Sequence, residues 1–217
     1  MKSNENIQNL REDYRRSTLE MSETDKSPFR QFDKWFREAL QAEIPEPNAM
    51  TVATVAADGK PSARVVLLKG VDERGFVFYT NYESQKGREL DENPAVALVF
   101  NWLGLERQIR IEGTAEKISE AESEAYFQKR PKKSQIGAWA SPQSRPIRGR
   151  DILNENTAAL QEKYADSENL PRPPHWGGFR VKAERIEFWQ GRSSRLHDRI
   201  NYIKTAEGKW MRERLAP

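Results

Sequence analysis

The stretch MTVATVAADGKPSARVVLLKGVDERGFVFYTN, residues 50–81, decides the fold. Two runs rich in β-branched residues flank Asp58-Gly59, and a third begins after Gly75. An Asp-Gly pair between apolar runs is a strong hairpin signal, because the turn that suits twisted strands needs positive φ. The pattern predicts an antiparallel meander over residues 50–80. Working outward, "AVALVFNW" and "RQIRIEGTAEKI" add two strands, and "GGFRVKAERIEFWQG", "HDRINYIK" and "WMRERLAP" return the C-terminal third to strand. With few helices between them, these runs predict a mainly β chain: a small antiparallel barrel with flanking helices.

The helices are marked by their ends. In "SPFRQFDKWFREAL", Ser27 caps, Pro28 suits the first turn, and Phe29, Phe32, Phe36 and Leu40 recur at the spacing of one buried face. "SQKGRELDEN" predicts a short helix stopped near Pro94. Ser119 and Glu122 form a capping box for a helix through Tyr126 that ends by Arg130, because Pro131 follows. A short helix over Ser134 to Trp139 and a longer one over Arg150 to Tyr164 precede the Pro-rich loop "PRPP". The polar, charged residues 1–26 read as a mobile arm and residues 27–217 as a single domain.

Composition narrows the function. Lys+Arg 36 nearly balances Asp+Glu 33 in the 217-residue chain, leaving a formal net charge of +3. A duplex-binding protein gathers an unopposed basic stripe, so nucleic acid is not the expected partner. The absence of cysteine excludes disulfides, thiolate catalysis and cysteine-held metals. The two histidines, His175 and His197, show no metal-ligand spacing, so no metal site is expected. No apolar run reaches the length of a signal peptide or membrane span, and the expectation is a cytoplasmic protein with no membrane partner.

Gly-rich phosphate cradles are missing, so an anion must be held by side chains. Three clusters qualify. In "SARVVLLK" the odd separation of Arg64 and Lys69 points them to opposite strand faces, toward two different phosphates or simply toward water. In "YFQKRPKKSQIGAW" Tyr126 and Arg130 lie four apart on one helix face and Ser134 opens the next helix, whose N-terminal amides favour an anion; an ordinary solvated helix end fits the same spacing. In "RLHDR", if extended, Arg195, His197 and Arg199 share a face, and flanking cations lower the proton affinity of the imidazole. A solvent-facing strand fits equally well. Trp189, Gln108, Gln143 and Ser144 add the polar and aromatic groups a heteroaromatic cofactor requires.

Read in order from about Leu10 to the last residue, "RVVLLK", "FYTN", "SQKGREL", "NPAVALVFNW", "ERQIRIEG", "YFQKRP", "SQIGAWASPQS", "WGGFRV", "IEFWQG", "RLHDR" and "RLAP" closely resemble the pyridoxamine 5′-phosphate oxidase family. The resemblance implies an FMN-binding split barrel, an antiparallel six-stranded barrel of Greek-key type, dimeric with FMN at the subunit interface. It implies oxidation of pyridoxamine 5′-phosphate or pyridoxine 5′-phosphate to pyridoxal 5′-phosphate, O2 reoxidising the flavin to give H2O2, with ammonia released from the amine. FMN contacts are implied at Arg64, Val65, Val66, Leu67, Leu68, Lys69, Tyr79, Thr80, Gln85, Lys86, Gln108, Gln143, Ser144, Trp189 and Arg199. Gln85 departs from the family, standing where a basic residue is frequent. Substrate contacts are implied at Lys69, Tyr126, Arg130 and Ser134 for the phosphate, at Arg195 and His197 beside the pyridine ring, and at Arg11 and Tyr14 on the arm. Arg195 and His197 are the implied catalytic pair, with His197 or a water taking the substrate's amine or alcohol proton. The alternatives are a related split-barrel flavin oxidoreductase with another substrate, and a non-catalytic carrier of FMN or pyridoxal phosphate.

Overall fold

The structure, a computed structural model, describes residue 10 and residues 12–217; Arg11, implied at the substrate, lies outside the described residues. The chain forms two compact units, each assembled from separated stretches: Met1–Pro47, Leu98–Ile111 and Glu184–Pro217 in the first, Asn48–Ala97 and Glu112–Ala183 in the second.

In the second unit the opening stretch folds as β1 (Ala49–Val55) and β2 (Pro61–Leu67), antiparallel with Val52 opposite Arg64. The Asp58-Gly59 turn closes the hairpin as expected. Gly59 takes φ +83°, and its N–H donates to the Ala56 carbonyl at 2.9 Å. The meander goes no further. The third run, β4 (Gly75–Asn81), pairs with the short β3 (Gly70–Asp72) and with the first half of β7 (Trp176–Gln190), with Phe78 opposite Phe179. The burial pattern gives the reason: β4 is buried on nearly every residue and needs cover on both faces, whereas β2 is exposed at every second residue. Helices α2 (Gln85–Glu92), α3 (Glu120–Gln128), α4 (Lys132–Ala140) and α5 (Asp151–Lys163) complete this unit. Ser84 caps α2 and Ser119 caps α3, the latter with the expected Glu122 partner.

In the first unit α1 (Pro28–Gln41) is capped by Ser27. Its buried face is Gln31, Phe32, Trp35 and Ala39, and Leu40, expected inside, is 54% exposed. The aromatic contacts set that rotation. Trp35 meets Phe188 edge-to-face at 5.2 Å, Phe32 meets Phe100 at 5.2 Å, and Phe188 meets Tyr202 at 5.4 Å. Each buried ring of this kind contributes about 1.5–3 kcal/mol. The rest of the unit is β8 (Asp198–Lys204), β9 (Trp210–Leu215) and parts of β5 (Ala95–Trp102), β6 (Arg107–Lys117) and β7. Hydrogen bonding orders the strands β2-β1-β5-β6-β7-β4-β3, with β8 joining β7 to β9.

Residues 14–25 make specific contacts with the first unit. Leu19 is 5% exposed, the Arg16 guanidinium donates to the Gly104 carbonyl at 2.6 Å, and Arg212 donates to Thr24 at 2.8 Å. Among the described residues no helix is long and apolar enough to cross a membrane, and no group of His, Asp or Glu could hold a metal ion.

Candidate active site

A cleft of about 650 Å³ opens in the second unit, and the chain's punctuation builds it. Pro131 stops α3 and starts α4, so Tyr126, Arg130 and Ser134 reach the same wall. Ser134 lies inside the first turn of α4, donating its N–H to Pro131, and the N-cap is Pro131; the expected helix opening at Ser134 is three residues late. Tyr126 stacks on Tyr79 with centroids 3.9 Å apart, and the Arg130 guanidinium lies 4.5 Å over the Trp176 ring. One nitrogen of Arg130, Nη1, is buried without a hydrogen-bond partner, and desolvation works against its charge. An unmatched buried cationic donor is costly unless an anion meets it. Lys69 completes this wall from the end of β2, where its N–H donates to Val77 and its side chain is exposed.

The same cleft is also lined by Val65, Val66 and Leu67 together with Thr80, Lys86 and Gln143. Lys86 Nζ, 8% exposed as a residue, donates to Thr80 Oγ1 at 3.1 Å, to Ser84 Oγ at 3.4 Å and to Gln143 Oε1 at 3.5 Å. All three acceptors are neutral. Burial, and then repulsion by Arg64, bring its pKa down to about 8. Arg64 itself does not line the cleft. It bonds Thr54 and Ser62 and pairs with Glu89 at 3.2 Å. Burial opposes the Glu89 charge, but hydrogen bonds from Thr54, Ser62, Gln85 and Arg64 outweigh it and bring the pKa down to about 2. Gln85 thus faces Glu89, at 2.8 Å. Leu68 is buried, and Ser144 sits exposed with φ +69°.

In the first unit, Trp189, His197 and Tyr14 cluster. Trp189 and His197 are 4.5 Å apart, Tyr14 and His197 6.0 Å, and Tyr14 meets Trp189 edge-to-face at 5.9 Å. Tyr14 lines a cavity of about 580 Å³ with Arg192, Arg195 and His197, and a second of about 320 Å³ with Gln108 and Trp189. Gly191 permits this: a Cβ there would lie 2.6 Å from the Tyr14 ring. The expected shared face of Arg195, His197 and Arg199 does not form. The strand begins only at Asp198, and Arg195 belongs to a turn in which Ser194 and Arg195 take left-handed φ of 54° and 60°. Burial, then Arg195, lowers the His197 pKa. Arg199 is bidentate to Glu187, at 2.9 and 3.0 Å.

Two family models match along this frame. Residues 36–164 match the model described as pyridoxamine 5′-phosphate oxidase, and residues 176–217 match the pyridoxine 5′-phosphate oxidase C-terminal dimerisation region. The chain belongs to the pyridoxamine 5′-phosphate oxidase family. Curated relatives agree over nearly the whole length of this family member. It is 56% identical to the pyridoxine/pyridoxamine 5′-phosphate oxidase of Ralstonia pickettii over 97% of this chain and 99% of that one. To the protein of the same name from Gloeothece citriformis it is 58% identical over 98% and 99%. Among solved structures, PhzG from Burkholderia lata 383, in complex with tetrahydrophenazine-1-carboxylic acid, superposes with TM-score 0.86 at 32% identity, covering 93% of this chain and 98% of that one. A pyridoxamine 5′-phosphate oxidase-related, FMN binding protein from Nostoc punctiforme superposes with TM-score 0.69 at 16% identity over 89% and 100%, a likeness of fold. The fold class is the family's split barrel, mainly β with flanking helices.

Sequence reasoning missed two carboxylates in this family member. Glu89 organises Arg64, Thr54, Ser62 and Gln85, and its only sequence signal is the four-residue spacing from Gln85 on a helix. Asp198, which a solvent-facing strand would leave exposed, is instead buried and accepts from Leu19, Arg192 and Arg214. No local pattern announces those partners, and Leu19 comes from the far end of the chain.

Proposed function

We propose that this chain is a cytoplasmic, homodimeric FMN-dependent oxidase that converts pyridoxine 5′-phosphate and pyridoxamine 5′-phosphate to pyridoxal 5′-phosphate, with its flavins at the subunit interface. The match to a dimerisation region supports the dimer, and the oxidase names of relatives more than half identical support the reaction. We read residues 27–217 as one functional domain and residues 1–26 as an arm over the substrate.

The observation that carries the reading is the cleft wall of Lys69, Tyr126, Arg130 and Ser134, with Arg130 Nη1 buried and unmet. A phosphate monoester supplies what that wall lacks. Charge-assisted bonds contribute about 1.5–3 kcal/mol each, so three or four donors suffice for a small substrate. FMN fits the Lys86 side of the lining on chemical grounds. Lys86 faces only neutral acceptors and Arg64 shares a single carboxylate, so the pair is short of negative charge by about one unit, as a phosphate-holding site should be. Lys86, Thr80 and Gln143 would hold the flavin phosphate and ribityl chain, with Arg64 adding positive charge behind Lys86, alongside Val65 to Leu68, Tyr79, Gln85 and Ser144. The family resemblance further assigns Gln108, Trp189 and Arg199 to the flavin. The chemistry FMN supplies when bound is two-electron acceptance from the substrate's C4′ carbon, with O2 as final acceptor leaving as hydrogen peroxide. Lys69, Tyr126, Arg130 and Ser134 anchor the phosphate and so fix where C4′ lies. Arg195 and His197 face the pyridine ring, and Tyr14 covers it. Arginine cannot take a proton near neutral pH, which limits Arg195 to orientation and charge.

Purified protein should be yellow, or become so on adding FMN, and the colour should bleach anaerobically with pyridoxine 5′-phosphate and return with air. Protein that cannot be reconstituted with FMN would overturn the cofactor reading. Bleaching by other reductants but never by a B6 phosphate would overturn the substrate.

A further inference from the structure

Gly191 to His197 join β7 to β8, and the segment folds back on itself. The main-chain N–H of Arg192 donates to His197 Nδ1 at 3.1 Å. An amide can only donate, so Nδ1 carries no proton and the neutral ring must hold its proton on Nε2. An imidazolium would aim an Nδ1–H at the Arg192 N–H. The groups facing the ring reinforce this: Trp189 and Tyr14 pack on it, Arg195 opposes a positive charge, and Asp198 alone favours one.

The charge of Asp198 is already engaged. Its side chain is 11% exposed, and Oδ2 accepts from the Leu19 N–H at 3.1 Å and from Arg192 Nη1 at 2.8 Å, while Oδ1 accepts from Arg214 Nη1 at 2.6 Å. The Arg192 side chain is therefore tied to the residue after His197, and its main chain to the ring itself. Between them Ser194 and Arg195 hold left-handed conformations that side-chain-bearing residues adopt only at a cost. Such a turn persists where surrounding bonds over-determine it, and these bonds do.

We propose that Arg192 and Asp198 are positioning residues that lock His197 in the Nε2–H tautomer, so that it meets the substrate as a hydrogen-bond donor and does not take its proton. This rests on the reading that His197 faces the substrate. Water is then the acceptor for the proton lost from the alcohol or amine.

The test is proton-detected nitrogen NMR of the FMN-loaded enzyme labelled with nitrogen-15 histidine, His175→Gln assigning the second ring. His197 should show the Nε2–H pattern at neutral pH, with its signals moving on addition of pyridoxal 5′-phosphate. An Nδ1–H or doubly protonated ring overturns the lock. An Nε2–H pattern that ignores pyridoxal 5′-phosphate overturns the donor role and the placement of His197 at the substrate, a failure distinct from the first. Asp198→Asn, or Arg192→Met if the former folds poorly, should mix the tautomers and lower kcat about tenfold with FMN affinity unchanged; an unmixed tautomer in a folded variant overturns the positioning role. Glutamine places an amide N–H near the Nε2 position and asparagine does not. A donor role therefore predicts kcat at least about tenfold higher in His197→Gln than in His197→Asn. A general base is worth about 10²–10⁴-fold and neither amide can replace it, so equal losses of that size overturn the proposal.

Discussion

Lys86 gives a prediction whose size follows from the site. Its amine is buried among Thr80, Ser84 and Gln143 and beside Arg64, which brings its pKa from 10.5 to about 8. A flavin phosphate, dianionic above its second pKa of about 6, restores the missing counter-charge and returns the pKa at least toward 10.5. Between about pH 8 and 10.5 the free protein must then take up a proton to bind, and affinity falls by up to tenfold per pH unit. Worked through for those two values, the dissociation constant for FMN rises about tenfold from pH 7 to pH 9. The full shift corresponds to about 3.4 kcal/mol at 1.36 kcal/mol per unit. Quenching of FMN fluorescence on titration with apoprotein measures this directly. Lys86→Arg should hold phosphate at pH 7 and lose the dependence, since a guanidinium stays charged throughout. A wild-type dissociation constant that is flat from pH 7 to 9, or an arginine variant with the same slope as wild type, would refute the argument.

Four other outcomes are expected. Arg130→Ala should raise KM for pyridoxine 5′-phosphate about 10- to 150-fold with kcat little changed, the loss of one charge-assisted bond of about 1.5–3 kcal/mol, and Arg130→Lys should recover part of it; steady-state kinetics decide. Gly191→Ala places a Cβ 2.6 Å from the Tyr14 ring, so KM should rise several-fold and proteolysis before residue 16 should quicken while the melting temperature hardly moves. Ser194→Gly relieves a left-handed serine and should stabilise by up to about 1 kcal/mol, seen as a rise in Tm of about 2–4 °C. For Asp198, burial opposes the charge but bonds from Leu19, Arg192 and Arg214 outweigh it and lower the pKa. Its stabilisation is therefore complete above the unfolded value near 3.8 and is lost as pH falls through the lower folded value. Thermal melts of Asp198→Asn should be less stable than wild type at pH 7 and less sensitive between pH 4 and pH 2.

The fold was legible wherever a local signal has a local cause. Asp58-Gly59 marks its hairpin because the turn itself demands positive φ, and Ser27, Ser84 and Ser119 mark helix starts because a hydroxyl there satisfies an amide within three residues. Pairing between strands has no such cause. Nothing in residues 68–75 says that β4 takes β3 and β7 as neighbours, a choice made by Phe76, Phe78 and Phe179 seeking cover on both faces. On α1 the phenylalanine spacing was a real periodicity, but the larger Trp35 found Phe188, rotating Leu40 out to solvent.

The same division runs through the site. Tyr126 and Arg130 both line the cleft, but not as one helix face: α3 ends at Gln128, and Arg130 reaches the cleft from the turn before Pro131. The "RLHDR" segment was not legible, because alternation along a strand presumes a strand, and what shapes these residues is a carboxylate that collects donors from residues 19, 192 and 214. The pattern in the letters suggested two arginines and an imidazole side by side on one strand face. The structure separates them by chemistry: Arg199 pairs with Glu187, Arg195 is exposed on its left-handed turn, and the His197 ring accepts from a main-chain amide while burial and Arg195 lower its pKa. On the proposed reading, the basic stretch offers one exposed cation and one neutral donor, which suits an aromatic ring whose polar substituents need orientation more than they need counter-charge.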